Sequence, residues 1–489
     1  MTFAPTTMDA GSVQAMVGNT IISATAATML LAGCAAVSPE SRMGDVGAPG
    51  SWAATREARA GIDRNWVRKI GGAELRSLVD NAISNNPDMK AAAARVEKAG
   101  AEAKIAGAGR LPSLGLGADG LRNKQNFIGL PSGGAGGPGI PTNLSRKFGV
   151  DLNAAWEVDV WGRAKAGQEG AIADAEARRY EYEAARVSLA GQVTKAWLAL
   201  GEANEQSVLA KEALVAVGVL ADAVRERFER AIEDSGGTAS QVRLTESERA
   251  TRRAALAERK QERERVLRQL EILLGTYPSG SLAAGARLPA FPGATPSGLP
   301  SELLLRRPDI LAAERTLAAS GRRVKERKLA RFPSLSLTGS AGTATEGLGD
   351  VLQSDLSVWS IGGSLTQPIF EGGKITGEIS KAQAGEREEI AKLQKTVLDA
   401  FGEVEQALIA EAFLAERERA AKQAASLATE AAERAGEEYS AGTTDVLSLI
   451  EATERKIDSA SQYAAIRRLR LDNRVDLHLA LGGDFKATK

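Results

Sequence analysis

The feature that most constrains the fold of this chain is an internal repeat, in which two halves carry the same motifs in the same order. A Pro-Asp pair occurs at 87–88 and again at 308–309, and in both halves another proline follows the first after 25 residues. Each half then reaches an aromatic residue close to a glycine, at 161–162 and 370–372. Two copies of one supersecondary unit are the simplest account of this order.

Each half is predicted to contain one β-hairpin. Apolar residues alternate with polar or small residues from Phe148 to Val160, a period-two pattern that predicts a strand with one apolar face. A weaker alternation runs from Trp359 to Ile369. The incoming strand is expected after the second proline of each half, so the two hairpins cover about 111–160 and 333–370 and contribute four strands.

Helices account for the rest of each unit. The Pro-Asp pairs are expected to begin short helices, because proline is tolerated in the first turn and aspartate favours the positive helix end. After each hairpin a long helix is predicted, over roughly 163–232 and 374–440, and each returns as a second helix over 240–275 or 445–481. At 1.5 Å per residue, about 67 residues reach about 100 Å.

The second long helix also carries the seam of a coiled coil. Its apolar residues keep a seven-residue spacing, which is typical of helices packed side by side rather than of a compact globule. The spaced positions are Ile390, Leu393, Val397, Ala400, Val404 and Ala407.

Four strands are too few to enclose a water-filled lumen, because the smallest closed membrane barrels use about eight. The alternating strand carries Asp151, Glu157 and Asp159 on the face opposite its apolar residues, as expected for lipid outside and water inside. Open strand edges are not tolerated in lipid, where unpaired N–H and C=O groups cost several kcal/mol each. Several copies are therefore predicted to pool their hairpins, with 129–141 as a long external loop. The alternative is a soluble β-sandwich with one wet face.

Composition argues against several classes of function. The 62 basic residues balance 62 acidic ones, so charge gives no case for nucleic-acid binding. His478 is the single histidine and Cys34 the single cysteine, which disfavours an enzyme built on histidine or thiol chemistry. His478 is interpreted as a helix-surface or packing residue. The carboxylates show no metal-ligand spacing with histidine, and no metal site is predicted.

Cys34 closes the sequence Leu31-Ala32-Gly33-Cys34 after an apolar run. This resembles the lipobox of bacterial lipoproteins, which implies a signal peptide over 1–33 and a covalent lipid (N-acyl and S-diacylglycerol) on Cys34. Ala35 follows the cysteine, and in such lipoproteins a non-acidic residue there implies export to the outer membrane. A buried free cysteine is the alternative.

These features divide the chain into predicted regions. They are a signal peptide (1–33), a lipidated N-terminal segment (34–71), repeat 1 (72–290), a linker (291–300), repeat 2 (301–483) and a C-terminal tail (484–489). The predicted fold class is a mixed α+β membrane channel. Each chain would supply four strands and long antiparallel helices that assemble side by side into an α-helical barrel.

Six motifs in order resemble the TolC-like outer-membrane efflux family, and in particular its NodT-type lipoproteins that serve resistance-nodulation-division pumps. They are WEVDVWGR (156–163), LLLRRPDILAAERTL (303–317), RFPSLSLTG (331–339), QPIFEGG (367–373), AFGEVEQAL (400–408) and LALGGDF (479–485). The resemblance implies a homotrimer with a 12-stranded barrel and a 12-helix periplasmic tunnel. It also implies a periplasmic adaptor protein and an inner-membrane pump as partners, with no cofactor besides the lipid on Cys34.

The same resemblance places a periplasmic gate at the helix-turn-helix tips. The corresponding segments here are 236–246 and 442–451, and the candidate gate residues are Arg243, Thr444, Asp445 and Glu451. Arg243 stands where relatives usually have aspartate, so three arginines could neutralise an acidic ring or pair with it. For Asp445 a helix N-cap is the simpler alternative.

The predicted function is the exit duct of a tripartite efflux pump, a passive conduit for drugs or other small molecules from the periplasm to the outside. One alternative is the outer-membrane duct of a type I protein secretion system. Another is a lipid-anchored coiled-coil envelope protein without a pore.

Overall fold

The fold is taken from a computed structural model that describes residues 49–54, 65–126, 142–231, 238–283, 285–293, 296 and 300–483. The predicted signal peptide, Cys34, the Gly-rich loop 129–141, the first tip turn at 236–237 and the tail 484–489 lie outside the described residues. The domain boundaries proposed above stay predictions.

The first repeat contains four helices and two strands. They are α1 (Trp66–Asn85), α2 (Pro87–Ala108), β1 (Ser113–Asn126), β2 (Thr142–Val158), α3 (Arg163–Ala231) and α4 (Ala239–Leu273). Helix α1 is interrupted at Gly71 and Gly72, whose backbone angles are not helical.

The second repeat has the same order of elements. They are α5 (Pro300–Arg306), α6 (Pro308–Leu329), β3 (Ser334–Thr345), β4 (Ser357–Thr366), α7 (Lys374–Ser440) and α8 (Val446–Ala480), with two short 3₁₀ turns, Leu348–Asp350 and Ser354–Leu356, between the strands. The long helices and their returns begin and end within two residues of the predicted bounds. Pro87 and Pro308 both occupy the first helical turn, as predicted.

Two predicted strands are too long. The alternations were extended to Val160 and to Ile369, but β2 ends at Val158 and β4 at Thr366, and Ile369 is 94% exposed outside the sheet. The chain continues as Gln367-Pro368, and a proline has no N–H with which to continue the ladder.

The four strands form one antiparallel sheet in the order β1-β2-β3-β4. The two predicted hairpins are therefore joined through β2 and β3, with Trp156 opposite Leu337 and Leu152 opposite Ala341. This pairing across the repeats was not predicted. It leaves β1 and β4 as the two edge strands.

The two long helices pack against different partners along their length. Helix α3 contacts α2 and α6 in its strand-proximal half, and α4 and α8 beyond. The five inner seam positions of α7 from Leu393 to Ala407 are buried, and Ile390 is half-buried. The coiled-coil seam is therefore confirmed.

Short helices stack end to end beside the long ones, and we call the level at which they meet the middle junction (residues 85–88, 271–282, 307–309 and 478–483). Asn86 at the start of α2 donates its side-chain amide to the Leu273 carbonyl at the end of α4, at 2.9 Å. Arg307 at the start of α6 donates to the Ala480 carbonyl at the end of α8, at 3.2 Å. Equivalent hydrogen bonds thus join the helix ends in both repeats, so the two repeats share these contacts as well as their order of elements.

Glycines make the close approach at this junction possible. Gly275 and Gly482 end α4 and α8 with φ of 72° and 67°, the left-handed conformation that terminates helices. A Cβ at Gly275 would lie 2.6 Å from the Asn85 carbonyl oxygen. A side chain there would therefore separate the stacked helices.

Arg307 is the central charge of the middle junction. It is 8% exposed and pairs with the Asp309 carboxylate through two nitrogens, at 3.0 and 2.6 Å. It also reaches Glu403 on α7 at 2.5 Å. One guanidinium thus joins three helices, which gives the arginine of the RRPDI sequence a structural role.

Glu271 is the buried carboxylate of the junction. It accepts hydrogen bonds from the backbone N–H groups of Gly280, Ser281 and Leu282, at 2.7, 2.9 and 3.0 Å. Burial opposes its ionisation, but the three donors together hold its pKa below the ordinary value. The charge fixes the segment after α4 against the helix.

The main apolar core lies around the same level. His478 is 5% exposed and stacks on Trp66, with ring centroids 5.4 Å apart, so it is a packing residue. Next along the core are Leu75, Leu198, Leu270, Leu471 and Val475.

A short N-terminal segment, residues 52–54, is docked on α7. The Glu405 carboxylate accepts hydrogen bonds from the backbone N–H groups of Ala53 and Ala54, at 2.6 and 2.8 Å. Trp52 is 2% exposed and meets the Phe401 ring edge-on at 6.0 Å.

Candidate channel wall and helix tips

The sheet is amphipathic, and its register shows which residues share a face. One face is apolar in all four strands: Leu114, Leu116, Phe148, Val150, Leu152, Trp156, Val158, Leu335, Leu337, Trp359, Ile361 and Leu365. The opposite face is polar apart from Leu121 and Val358, and its polar residues are Asp119, Asp151, Asn153, Glu157, Ser336, Thr338, Ser340, Ser360 and Ser364. The alternation predicted for two strands thus extends to all four strands of the sheet.

Nothing in the described part of the chain covers the apolar face. Leu116 is 78% exposed, Trp359 76% and Ile361 84%. In a soluble β-sandwich these side chains would lie against a second sheet. The exposed apolar face therefore contradicts the sandwich alternative and fits a wall that meets lipid on one side and water on the other.

The two edges of the sheet show that the wall is not closed within one chain. Strands β1 and β4 each have one side without a strand partner, and unpaired backbone groups are costly in lipid. A sheet of four strands cannot close on itself. The wall is thus incomplete in one copy of the chain.

Aromatic residues mark the boundary between sheet and helices. Trp156 donates its indole N–H to the Arg110 carbonyl at 3.0 Å, and Trp161 donates to the Pro333 carbonyl at 2.7 Å. The Trp161 ring also stacks on Phe332, at 5.1 Å between centroids. Such rings with one polar end are typical of membrane–water interfaces.

The turns that lead into the long helices explain the aromatic–glycine motifs. Gly162 and Gly372 have φ of 79° and 58°, a backbone region that favours glycine. Asp159 then accepts hydrogen bonds from the N–H groups of Ala164 and Lys165, at 3.0 and 2.7 Å. Asp159, predicted to belong to the polar face, therefore caps α3 instead.

At the opposite ends of the long helices lie the tips. In the first tip, Thr238 begins α4 with a reciprocal capping box formed with Gln241. In the second, Gly442 turns the chain with φ of 76° and Asp445 begins α8 by accepting from the Ser448 N–H at 2.8 Å. That hydrogen bond holds the pKa of Asp445 below its ordinary value.

The four candidate gate residues lie at these tips but are not brought into mutual contact. Arg243 is exposed on the first turns of α4, and Glu451 is exposed on α8. Thr444 is half-buried beside the exposed Asp445. The N-cap weighed for Asp445 is present, and no ion pair joins Arg243 to Asp445 or Glu451 among the described residues.

A small apolar cluster holds the two tips together. Leu220 and Val224 of α3 pack against Val446 and Ile450 of α8. We call these four residues the tip cluster. It is far smaller than the core at the middle junction.

Charged side chains around the tip cluster were missed by the sequence reasoning. Arg252 of α4 pairs with Glu248 of the same helix at 2.5 Å and also with Glu454 of α8. Burial raises the pKa of Glu454; Arg252 opposes that rise and the nearby Glu248 adds to it. These residues were not recognised because their pairing depends on which helices are neighbours, and the repeat alone does not fix that.

Two features are absent from the described ranges. No helix there has both the length and the apolar content needed to cross a bilayer. No group of three or more His, Cys, Asp or Glu side chains there is arranged to hold a metal ion.

The chain matches known proteins over most of its length. The family profile described as outer membrane efflux protein matches residues 78–276 and 299–483. Outer membrane protein OprJ of Pseudomonas aeruginosa is 31% identical over 452 residues, 89% of this chain and 90% of that protein. The pyoverdine export outer membrane protein OpmQ of the same organism is 31% identical over 479 residues, 96% and 98% of the two chains.

Similarity of structure agrees with similarity of sequence. The Campylobacter jejuni CmeC outer membrane channel superposes with a TM-score of 0.79 at 26% identity, over 90% of this chain and 92% of that one. The fold predicted from the repeats, two β-hairpins with long helical hairpins, is thereby confirmed. The profile, the relatives and the amphipathic wall agree, and the chain belongs to the outer membrane efflux protein family, as a channel subunit of the outer membrane.

Proposed function

We propose that three copies of this chain form one continuous duct, with a 12-stranded barrel in the outer membrane and a 12-helix tunnel in the periplasm. The observation that carries the proposal is the four-stranded sheet, which is apolar on one face, polar on the other and unpaired at both edges. Twelve strands exceed the roughly eight that a closed membrane barrel needs.

The exposed surface of the long helices supports assembly of the tunnel. Helix α7 carries Leu398, Ile409 and Phe413, which are 56%, 54% and 62% exposed. The spacing of 11 and 4 residues places them on one helix face. An apolar stripe of this kind is typical of a surface covered by another copy.

The duct is a passive conduit for small molecules, and a partner supplies the energy. The family and its tripartite pumps support an adaptor protein and an inner-membrane pump of the resistance-nodulation-division type as partners. No step within the chain is chemical. The pump, rather than the duct, selects the exported compound.

The tips are the periplasmic gate in this proposal, with Arg243, Thr444, Asp445 and Glu451 around the narrowest part of the bore. Support comes from their position at helix ends and from the exposure of Arg243, Asp445 and Glu451. A ring of mixed charge would admit ions less selectively than a ring of acids.

A lipid on Cys34 would anchor each copy to the membrane, and the chain length permits it. Trp52, docked on Phe401, is 18 residues beyond Cys34, and an extended segment of that length spans about 60 Å. Phe401 is 27 residues beyond the start of α7, which corresponds to about 40 Å of helix rise. Labelled palmitate should enter the wild type and not Cys34→Ser; equal labelling would show that Cys34 is not the site.

Reconstitution in planar bilayers tests the duct itself. The purified protein should give stepwise single-channel currents and should migrate as a heat-dissociable trimer in mild detergent. A trimer without conductance would favour the pore-free envelope protein. Restoration of protein secretion, but not of drug efflux, in a strain lacking its own duct would favour the type I secretion alternative.

A further inference from the structure

The first β-hairpin carries a cluster of basic side chains at its end farthest from the helices. Arg122 and Lys124 of β1 and Arg146 of β2 belong to the same face of the sheet as the apolar residues. Lys147 belongs to the opposite, polar face. We call Arg122, Lys124 and Arg146 the basic rim.

The position of the rim along the strands corresponds to the edge of a bilayer. On β2 the apolar face is continuous from Val158 to Phe148, which is 11 residues, the length with which a tilted strand crosses the hydrocarbon core. Arg146 is the next residue on that face, and Leu144, opposite Lys124, is the single large apolar residue beyond it on β2. The rim therefore lies where acyl chains end and headgroups begin, on the side away from the long helices.

The chain itself does not neutralise the rim. Arg122 and Arg146 are directly opposite each other in the β1–β2 ladder, an arrangement of like charges that destabilises a sheet. All three side chains are exposed, and none forms an ion pair with a described residue. The loop at 127–141 contains no Asp or Glu.

We propose that the basic rim binds the phosphate groups of anionic lipids in the outer leaflet of the outer membrane. A phosphate between Arg122 and Arg146 would accept hydrogen bonds from both guanidinium groups and remove their repulsion. Lipid headgroups are the source of phosphate nearest to this face, because the apolar residues beside it already face the acyl chains. The inference rests on the proposed function, since it requires the apolar face to meet lipid.

The experiment measures lipid retention by the detergent-solubilised trimer. The wild type and the variant R122N/K124N/R146N are titrated with phosphatidic acid and with phosphatidylcholine, and bound lipid is counted by native mass spectrometry. Each basic residue near an anionic surface contributes about fivefold in affinity. The triple variant should therefore retain phosphatidic acid about a hundredfold less well, with phosphatidylcholine unchanged.

Two matched variants separate position from net charge. K147N removes one positive charge from the opposite face of the same strand and should change retention less than about twofold. R122K/R146K keeps the charge and should preserve most of the preference for phosphatidic acid. Equal retention of phosphatidic acid by the wild type and the triple variant would overturn the inference.

Pairing with a second copy is the competing explanation. Glu346, Asp350 and Asp355 lie between β3 and β4, and a neighbouring copy could present them to the rim. Loss of the trimer in both lipids for the triple variant would support this pairing and overturn lipid binding. A wild type that forms no trimer and no channel would instead contradict the proposed function.

Discussion

The middle junction and the tips are both places where helices of the two repeats meet, yet they are held in different ways. At the junction, Arg307 and Glu271 are buried charges with several partners each, beside a large apolar core. At the tips, the four-residue tip cluster is surrounded by partly exposed ion pairs such as Arg249–Asp222 at 3.1 Å.

The difference indicates which region can move. Buried, fully partnered charges strongly oppose separation of the groups that hold them. Exposed ion pairs contribute about 0–1 kcal/mol each, and a small apolar cluster adds little more. We therefore interpret the junction as the rigid collar of the chain and the tips as the region in which opening costs least.

The largest expected effect is at the junction. Arg307→Ala removes the buried guanidinium that joins α6, α7 and α8. Because it also leaves a cavity between these helices, it should lower the free energy of unfolding by about 3 kcal/mol. Urea unfolding followed by helical circular dichroism measures it. Arg306→Ala, at the exposed neighbouring position, should change it by less than about 0.5 kcal/mol. Equal effects of the two variants would show that Arg307 does not stabilise the middle junction.

Glu271→Gln should have the next largest effect, about 2 kcal/mol, because three backbone donors lose a charged acceptor. Its folded pKa is held below the ordinary value of 4.5, so the unfolded chain takes up the proton first as pH falls. The stabilisation is therefore complete above pH 4.5 and is lost as pH drops through the folded pKa. In Glu271→Gln the free energy of unfolding should therefore fall less steeply as the pH is lowered below 4.5.

Glu258→Gln is the matched control for Glu271, since Glu258 is exposed on the same helix. It should leave both the free energy of unfolding and its pH dependence close to those of the wild type. If Glu271→Gln lost stability at low pH as the wild type does, another carboxylate would be responsible for that loss.

A smaller and more local effect is expected at the tips. Ile450→Ala removes part of the tip cluster and should raise amide hydrogen exchange at the ends of α3 and α8 by about tenfold, while the middle junction keeps its protection. Leak conductance should rise with it. Val219→Ala, at a 66% exposed position of α3, should change neither. Increased exchange at the junction would mean that the two regions open together.

The smallest effect on the fold is expected for the gate charges. Arg243→Ala and Asp445→Asn should leave the trimer intact and raise leak conductance a few-fold, because asparagine keeps the N-cap while the charge is removed. Asp445→Ala would lose cap and charge together. Unchanged conductance in Arg243→Ala and Asp445→Asn would show that these residues are not the gate.

Much of the fold could be predicted from the sequence because its periodic patterns are long. The alternation around Leu152 and the seven-residue spacing around Val397 each specify an element and its buried or lipid-facing side. Pairing of β2 with β3 was not predictable, since it depends on contact between the repeats. The end of β4 was predicted wrongly because the apolar alternation continues past Pro368, and a hydropathy pattern does not show that proline has no N–H for the ladder.

The site was predicted only where local chemistry defines it. The N-cap at Asp445 could be predicted because an aspartate directly before a helix commonly caps it. Arg307 and Glu271 were not recognised, because their partners Glu403 and Gly280 become neighbours only in the folded chain. Single-sequence patterns carry no signal for such contacts.

The central claim is that one copy cannot complete its own wall, and the mass of the particle tests it most directly. Native mass spectrometry of the protein extracted in mild detergent should give a complex of three chains at every protein concentration that supports conductance. A single chain that stays soluble without detergent, with its apolar sheet face protected from solvent, would contradict the account.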